Sequence, residues 1–492
     1  MNTSMIRNII GYVLIFEGAF LALPCIVSII YQEPVGVWYM IFATLSLILG
    51  LLLLLKRPKD NTMYLKEGLV ATGLTWIVMS FMGCLPLWLS GEIPSFIDAF
   101  FETVSGFTTT GSSILSEVEP LSHTALFWRS LTHWIGGMGV LVFLLAIVPM
   151  SGGSHFNLMR AESPGPDVGK VVPKIKTSAA ILYLIYFGLT VLEFILLIIG
   201  KMPVFDAVNS ALATAGTGGF GFKNDSFMSM TAYQQWVVGI FMLVFATNFN
   251  LYCYIIFRQF KKIPGMEEIK VYLGLIVSAV LVFFFSTKDL YATKFEALTH
   301  AVFQTGTFMS STGFASTDFD KWPSIAKVVI VILMFCGACA GSTGGGLKVS
   351  RIVIMIKNIG KEIASCIHPR IVRKVTFEGK VVDNDLSRSI FVYFMIFLLI
   401  LTGSTILVSI EGRDIVTSFT SCLTCLNNMG PGLGEIVGPT GNFGSLTTFS
   451  KCVLIFNMLA GRLELFPILM LFHPGLYKSG FKSRFRSMKR EA

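Results

Sequence analysis

The stretch SGFTTTGSSIL (residues 105–115) places three threonines, three serines and two glycines together in a chain that is otherwise strongly apolar. It contains no cysteine, histidine or carboxylate, so it lacks the residues that ordinary catalysis or metal binding requires. Apolar sequence precedes the stretch, and a long apolar segment follows soon after it. Its meaning therefore depends on where it lies in the fold and on whether it recurs.

The composition is that of an integral membrane protein. Of the 492 residues, 53% are hydrophobic and 14% are charged, and the mean hydropathy is +0.71. Soluble domains carry about 25% charged residues, whereas apolar runs of about 18 residues or more are typical of membrane-spanning helices. The run at 7–31 is too long for a signal peptide and is interrupted by Glu17, so we expect a retained helix there. Ten candidate spans lie near residues 8–31, 36–55, 66–90, 126–150, 176–200, 233–257, 269–286, 324–357, 389–410 and 447–473.

The distribution of positive charge predicts the orientation of the chain. The net charge is +9, with nine Lys or Arg residues in 348–388 and six in the tail from Lys478. Residues 90–125 instead contain five acidic residues and no Lys or Arg. Because Lys and Arg collect on the cytoplasmic side of membranes, we expect both termini in the cytoplasm. Topology accounts for the basic excess, so the charge does not indicate nucleic-acid binding.

The opening stretch recurs in three other places. A short apolar stretch, well below the roughly 20 residues that cross a bilayer, lies between spans three and four, five and six, seven and eight, and nine and ten. Polar, glycine-rich sequence follows each one, and Asp98 precedes Gly111 by 13 residues, as Asp206 precedes Gly219. Such internal repetition predicts repeated structural units. The four copies are IDAFFETVSGFTTTGSS, FDAVNSALATAGTGGFGF, HAVFQTGTFMSSTGFAS and SFTSCLTCLNNMGPGLG.

The predicted fold class is therefore an all-α integral membrane protein. We expect two N-terminal spans followed by four span–pore half-helix–span repeats around a central cation pore. The predicted units are residues 1–62 for the two N-terminal transmembrane helices, 63–150 for repeat 1, 151–262 for repeat 2, 263–385 for repeat 3 with an interrupted second span, and 386–492 for repeat 4 with a basic cytoplasmic tail.

The four polar loops are candidates for an ion filter. Irregular backbone at membrane depth is tolerated only where it is buried in protein or lines a watery cavity. Carbonyl groups there can replace the water shell of a monovalent cation, and glycine permits the backbone angles that turn carbonyls inward. Each half-helix directs its partly negative C-terminus toward the pore, and the acids of 90–125 are expected to concentrate cations at the mouth. The predicted filter residues are Thr109, Thr110, Gly111, Thr217, Gly218, Gly219, Ser311, Thr312, Gly313, Asn428, Met429 and Gly430.

Span eight contains a second irregular stretch, CGACAGSTGGGLK (336–348). It interrupts the helix in mid-membrane, where exposed backbone needs a cavity; close helix packing through small residues is the alternative. Arg462 lies mid-span in FNMLAGRLELFP (456–467), where a charge costs at least about 2.5 kcal/mol. A structural pair with Glu464 is disfavoured, because residues two apart on a helix point away from each other.

Other motifs point to enzymes or cofactors only weakly. GTGGFG (216–221) matches a dinucleotide fingerprint but lacks a surrounding βαβ unit. In GSTGGGLKVS (341–350), a leucine separates the last glycine from the lysine, so the phosphate-binding motif is not met. The absence of a carboxylate pair or metal constellation in the spans argues against an enzyme. Two CxxC pairs suggest either a metal or redox site or, as we favour, small buried residues at helix interfaces; they are Cys336/Cys339 and Cys422/Cys425.

Several motifs together resemble a known family, the Trk/Ktr/HKT superfamily of potassium transporters, and specifically its bacterial Trk-type membrane subunit. The resemblance covers nearly the whole chain. The motifs are TTTGS, AESPGP with the following KVVPKIKTSAAILYLIY, STGFASTDF, LNNMGPGLG and AGRLELFP.

The resemblance implies a K⁺ filter formed by the four loops, with K⁺ as the transported ion. It also implies a homodimer and a cytoplasmic nucleotide-binding regulatory ring. The stretch 341–348 corresponds to an intramembrane gating loop, and Arg462 to an arginine beneath the filter. The gate residues are thus expected to be Gly341, Gly344, Gly345, Gly346, Lys348 and Arg462.

The predicted function is potassium uptake across a bacterial inner membrane. An H⁺- or Na⁺-coupled K⁺ symporter is the mechanistic alternative, since no motif reports coupling. The second and third loops depart from the TTTG pattern, so a Na⁺/K⁺-permeable variant also remains open. The basic segment 348–388 and the tail are expected to dock a regulatory partner or to lie against anionic lipid.

Overall fold

The structure, a computed structural model, describes residues 1–56, 64–139, 175–370 and 374–474. Within these ranges it is almost entirely helical, and its only strands, β1 (Thr376–Phe377) and β2 (Lys380–Val381), form one antiparallel hairpin. The helices are α1 (Thr3–Tyr31), α2 (Gly36–Leu54), α3 (Leu65–Leu89), α4 (Phe96–Phe107), α5 (His123–Met138), α6 (Ile175–Ile199), α7 (Val204–Ala215), α8 (Ala232–Phe245), α9 (Asn250–Ile256), α10 (Glu267–Thr287), α11 (Lys294–Ser310), α12 (Ser324–Cys336), α13 (Val349–Ile367), α14 (Asn384–Ser409), α15 (Ile415–Asn427), α16 (Thr448–Arg462) and α17 (Phe466–Phe472). Short 3₁₀ turns occur at Phe260–Gly265, Phe319–Lys321 and Phe443–Ser445.

The N-terminal pair of helices packs closely through glycines. A Cβ atom added to Gly18 would lie 2.8 Å from the Ala43 carbonyl oxygen, and one added to Gly50 would lie 2.7 Å from that of Gly11. Small residues let two helix backbones approach in a membrane, where apolar burial alone gives little driving force. The pair α1–α2 then contacts α3 and α5 of the first unit.

The first helix of each unit is long and apolar. Six helices of the described chain are long and apolar enough to cross a membrane, or up to seven if the bent pair α8–α9 counts as one span. They include α1, α2 and the first helices of the four units, α3, α6, α10 and α14. The chain is thus a multi-pass membrane protein.

A pore helix too short to cross a bilayer follows each of these first helices. The pore helices α4, α7, α11 and α15 have 12, 12, 17 and 13 residues. Three begin at a side-chain cap, in which Ser95, Thr293 and Asp414 accept backbone N–H groups of the first turn. All four end at the predicted filter loops. The predicted fold class is confirmed.

Two second spans that were predicted to be continuous are broken, so these predictions were wrong. The predicted span 233–257 splits into α8 and α9, which meet at an angle of 96°. The predicted span 447–473 ends its first helix at Arg462, and Glu464 and Leu465 then have φ values of +58° and +66° before α17 begins. Such φ values are rare for residues with a Cβ and end a right-handed helix. The predicted span 126–150 is described only as far as Gly139.

Candidate ion filter and gate

The four pore helices end in the same backbone turn. The residue two positions before each predicted filter glycine lies in the left-handed region, with φ between +52° and +60° for Thr109, Thr217, Ser311 and Asn428. The next N–H reaches back five residues to a carbonyl of the helix, which is the hydrogen bond of a Schellman cap. These bonds are Thr110 to Ser105 (2.9 Å), Gly218 to Ala213 (2.9 Å), Thr312 to Thr307 (3.1 Å) and Met429 to Thr424 (2.9 Å).

The filter glycines bring the four loops together in cyclic order. A Cβ atom on Gly111 would lie 1.9 Å from the Gly218 carbonyl oxygen of the second loop. The corresponding atom on Gly219 would lie 2.0 Å from the Thr312 oxygen of the third loop. One on Gly313 would lie 2.7 Å from the Gly430 nitrogen, and one on Gly430 would lie 3.2 Å from the Gly111 oxygen. Each loop therefore contacts the next, and the fourth contacts the first, so the loops surround one axis.

The fourth loop differs from the others in its backbone. Gly111, Gly219 and Gly313 have φ values of +78°, +79° and +93°, whereas Gly430 is not among the glycines with positive φ. The atom nearest to a Cβ added at Gly430 lies 3.2 Å away, which is the longest of the four corresponding distances. The fourth copy is the one whose sequence departs most from the others.

The loops contain only neutral oxygen ligands at the predicted filter positions. The Thr109 hydroxyl and the Asn428 carboxamide oxygen are buried and have no hydrogen-bond partner among the described residues. Buried polar atoms without a partner are costly and need an explanation such as a bound ion or water. Together with the loop carbonyls and the negative ends of four helices, uncharged side-chain oxygens suit a weakly held monovalent cation.

Charged groups behind the loops are buried and paired. Glu102 of α4 accepts hydrogen bonds from Arg129 Nε (2.9 Å) and Nη2 (2.7 Å), and from the Ser113 hydroxyl (2.9 Å) and the Ile114 N–H (3.0 Å) of the first loop. Arg129 also donates to the Gly221 carbonyl oxygen of the second loop at 3.2 Å. This network joins two adjacent filter loops at their outer ends.

His133 makes a second connection between the same two loops. It is fully buried, and its Nδ1 lies 2.8 Å from the Gly106 carbonyl oxygen, while its Nε2 accepts the Phe220 N–H at 3.2 Å. An acceptor on one side and a donor on the other require the neutral imidazole with its proton on Nδ1. The histidine therefore acts as a fixed link between the first pore helix and the second loop.

The stretch 337–348 lies directly against the inner side of the filter. The Gly345 N–H donates to the Ser311 hydroxyl at 2.5 Å. A Cβ on Gly344 would lie 2.6 Å from the Ser310 carbonyl oxygen, and one on Gly345 would lie 2.2 Å from that of Asn427. Gly341, Gly346 and the non-glycine Lys348 have positive φ values of +66°, +84° and +75°. This tightly packed segment thus contacts the third and fourth loops at their inner ends.

Arg462 holds the same segment from below. Its guanidinium donates to the Thr343 carbonyl oxygen at 2.9 Å and to those of Gly136 and Gly137 at 2.5 and 2.7 Å. The side chain of Lys348 is buried and donates to the Gly344 carbonyl oxygen. Two cations therefore stabilise irregular backbone carbonyls at the place where the ion path would continue inward.

Glu268 joins both ends of this segment to the broken second unit. Its carboxylate accepts hydrogen bonds from the Ala340 N–H (2.7 Å), the Ser350 N–H (3.0 Å) and Asn248 Nδ2 (3.2 Å). Asn248 lies in the bend between α8 and α9, and the Phe249 N–H donates to the Gly341 carbonyl oxygen at 3.1 Å. The two interrupted helices therefore satisfy each other's exposed backbone.

Comparison with known proteins identifies the family. The model of the TrkH family, described as a cation transport protein, matches residues 37–293 and 290–478. The chain is 33% identical to the Trk system potassium uptake protein TrkH of Salmonella typhimurium, over 97% of this chain and 100% of that protein. It is 32% identical to TrkH of Escherichia coli K12, with the same coverage of both chains. This chain belongs to the TrkH family. The resemblance to potassium transporters that its motifs predicted is confirmed.

The TrkH family assignment also agrees with the fold. The crystal structure of the potassium transporter TrkH from Vibrio parahaemolyticus matches with a TM-score of 0.85 at 29% identity, over 96% of this chain and 99% of that one. The chain is therefore a multi-pass member of the Trk potassium uptake transporters, and its relatives are transport proteins.

The structure corrects two expectations about residues near the TrkH-type loops. Glu102 was expected among the acids at the outer mouth, but it is fully buried and paired with Arg129. Asp98, another of those acids, is 2.6 Å from the ammonium of Lys451. Sequence reasoning also missed Arg129, His133 and Glu268 as residues that hold the loops. The only signal for Arg129 and His133 was a charged or polar side chain within apolar sequence, and Glu268 lacked even that, because charged residues surround it.

Proposed function

We propose that this chain takes up K⁺ across the bacterial inner membrane through one pore in each protomer. The observation that carries the proposal is the cyclic contact of the four loops through Gly111, Gly219, Gly313 and Gly430. A ring of carbonyl and hydroxyl oxygens on one axis can replace the hydration shell of K⁺ without binding it too tightly to leave. In this proposal K⁺ is the substrate, and transport involves no covalent step.

The segment 341–348 acts as the gate in this proposal. It contacts the inner ends of two filter loops, and its glycines can change φ and ψ at low cost. Arg462 favours the closed arrangement through its bonds to Thr343, Gly136 and Gly137. A ligand-bound partner would open the path only if it binds the open arrangement more tightly than the closed one.

The proposed assembly is a homodimer regulated by a cytoplasmic nucleotide-binding ring. Both termini then lie in the cytoplasm, and the basic segment 348–388 faces the ring or anionic lipid headgroups. The gate segment leads directly into α13 (Val349–Ile367), which belongs to that basic segment. Movement imposed on α13 from the cytoplasm would therefore reach the gate over a short distance.

Two measurements test the proposed function. The chain should restore growth on low K⁺ to a bacterium that lacks its K⁺ uptake systems, with a further effect of a co-expressed regulatory subunit. In proteoliposomes, Gly111→Ser should lower K⁺/Na⁺ discrimination, because its Cβ would lie 1.9 Å from a filter oxygen. Unchanged discrimination in Gly111→Ser, Gly219→Ser, Gly313→Ser and Gly430→Ser would overturn the filter assignment. K⁺ uptake that stops when a H⁺ or Na⁺ gradient is removed would favour a coupled carrier.

A further inference from the structure

We propose that Glu102 and Arg129 are positioning residues whose buried ion pair sets the width of the filter between its first and second loops. The inference rests on the proposed function, since it concerns selectivity in the same pore. Neither side chain reaches the ion in this proposal. They act through the loop backbone that they hold.

The pair connects four separate parts of the protein. Glu102 lies on the first pore helix α4, and Arg129 lies on the second helix α5 of the same unit. The Glu102 carboxylate binds the first loop through the Ser113 hydroxyl and the Ile114 N–H. The Arg129 guanidinium binds the second loop through the Gly221 carbonyl oxygen and lies 4.2 Å above the ring of Phe220. A displacement of either side chain therefore moves two filter loops relative to each other.

Burial makes this pair rigid. The side chains of Arg129 and Glu102 are 2% and 0% exposed. In such a place the attraction between charges is only weakly screened. Two N–H groups of the guanidinium converge on one oxygen of the Glu102 carboxylate, which fixes the orientation of Arg129 as well as its distance. The Ser112 hydroxyl also donates to the Gly430 carbonyl oxygen at 3.0 Å, so the fourth loop is tied to the first. The first loop is thus tied to the second through the ion pair and to the fourth through Ser112.

The other three units have no ion pair at the positions of Glu102 and Arg129. Nine residues before the filter glycine, where the first unit has Glu102, the other units have Ser210, Gln304 and Ser421. At the seventh position of the second helix, where α5 has Arg129, the helices α8, α12 and α16 have Val238, Ile330 and Leu454. In the third unit, Gln304 Nε2 donates to the Ser316 hydroxyl at 3.4 Å, which is a long and therefore weak hydrogen bond between neutral groups. An ion pair at these two positions therefore occurs in one unit of four in the described chain, although the Asp320 carboxylate separately accepts the Gly434 N–H of the fourth loop.

A matched ion pair on the same helix provides the control. Asp98, at the outer end of α4, is 2.6 Å from Lys451 Nζ, and that lysine is largely buried. The structure gives Asp98 no hydrogen bond to a filter loop. Asp98→Asn therefore removes a buried-lysine contact from the same pore helix without disturbing the loop anchor.

The experiment compares purified variants in proteoliposomes by K⁺ flux, Na⁺ flux and melting temperature. Glu102→Gln should lower the K⁺/Na⁺ flux ratio about tenfold, which corresponds to about 1.4 kcal/mol. Arg129→Lys should also lower the ratio, because the single ammonium group of lysine cannot span the distance between the Glu102 carboxylate and the Gly221 carbonyl oxygen as the guanidinium does. Asp98→Asn should leave the ratio unchanged even if it lowers the melting temperature.

The double variant Glu102→Gln with Arg129→Gln separates positioning from stability. It leaves no unpaired buried charge, so its melting temperature should recover from that of the Glu102→Gln protein. Its K⁺/Na⁺ ratio should stay low, since two neutral amides do not hold the loops as the pair does. The double variant also carries the test if Glu102→Gln fails to fold.

Recovery of both stability and selectivity in the double variant would overturn the inference. So would a ratio for Glu102→Gln equal to that of the parent or of Asp98→Asn. The glycine variants distinguish failure of this inference from failure of the proposed function. If Gly111→Ser lowers the ratio but Glu102→Gln does not, only the positioning role is wrong. If none of the four glycine variants changes the ratio either, the filter itself is wrongly assigned.

Discussion

The first and second helices of each unit are built differently. The first helices α3, α6, α10 and α14 contain 25, 25, 21 and 26 residues. The second helices α5, α8, α12 and α16 contain only 16, 14, 13 and 15 residues within the described chain. A continuous helix satisfies its own backbone and can face lipid, whereas an interrupted helix needs other partners at membrane depth.

The partners of the interrupted helices are buried polar side chains. Arg462 meets the carbonyls of Thr343, Gly136 and Gly137, and Glu268 meets the N–H groups of Ala340 and Ser350. Each bond ends on backbone that regular helix would have satisfied internally. Arg462 and Glu268 thus both bind backbone where the second helices break.

The strongest test of this contrast removes the arginine at the break. Arg462→Ala should raise K⁺ flux through the purified chain alone by about tenfold or more, equivalent to at least about 1.4 kcal/mol in favour of the open arrangement. The reason is that three backbone carbonyls lose the donor that holds the gate segment closed. The measurement is K⁺-driven uptake into proteoliposomes without a partner.

Arg413→Ala is the control for this prediction, since Arg413 contacts Glu411 and Ser445 outside the gate. It should leave the flux at the parent level. A variant with a shortened 341–348 segment should conduct like Arg462→Ala. If neither gate variant conducts better than the parent, the segment is packing and the gate lies elsewhere.

Two glycines, one in the gate segment and one in a continuous helix, test the difference between interrupted and continuous helices by their effect on protein stability. Gly346 in the gate segment has φ +84°, and an added Cβ would lie 2.6 Å from Gly337 Cα. Gly403 in the continuous helix α14 has nothing within 4 Å of such a Cβ. Gly346→Ala should therefore destabilise the protein by about 1–3 kcal/mol, whereas Gly403→Ala should be neutral or stabilising by up to about 1 kcal/mol.

Thermal unfolding of the two glycine variants in detergent measures this difference. Equal shifts in melting temperature would mean that the gate segment tolerates a side chain. The conformation of Gly346 would then not be required for the folded state.

The sequence predicted the four short helices and the loops that follow them better than the helix breaks nearby. The filter signals are local: a helix end, a left-handed residue and a glycine occur within a few positions, and the spacing from Asp98 to Gly111 repeats from Asp206 to Gly219. The break near Asn248 carries a short polar signal within an apolar run, and its reason lies 20 residues away at Glu268. Only the folded chain shows that these two side chains meet.

The sequence pattern also could not show which acidic residues are buried. Glu102 and Asp98 both belong to the stretch 90–125, which contains five acidic residues and no Lys or Arg, so both were expected at the outer mouth. The difference is set by Arg129 and Lys451, which come from different helices. A carboxylate that meets a deeply buried guanidinium anchors the loops, and sequence alone does not show which carboxylate has that partner.

The smallest expected effect concerns the outer end of α5. Glu33, in the loop after α1, accepts the N–H groups of His123 (2.8 Å) and Thr124 (3.0 Å) at the start of α5, and His123 Nδ1 lies 2.9 Å from the same carboxylate. Burial raises the pKa of Glu33, but the hydrogen bonds from Thr124 and His123 outweigh it and hold that pKa below 4.5.

A carboxyl group with a lowered pKa stabilises the folded state at and above its ordinary pKa, and this stabilisation is lost as the pH falls through the lowered value. Glu33→Gln should therefore lower the melting temperature slightly at pH 7, and the difference from the parent should close as the pH falls below 4.5. Glu117→Gln, at an exposed position of the same outer side, is the control and should show no such convergence. A gap between Glu33→Gln and the parent that persists at low pH would mean that shape rather than charge anchors α5.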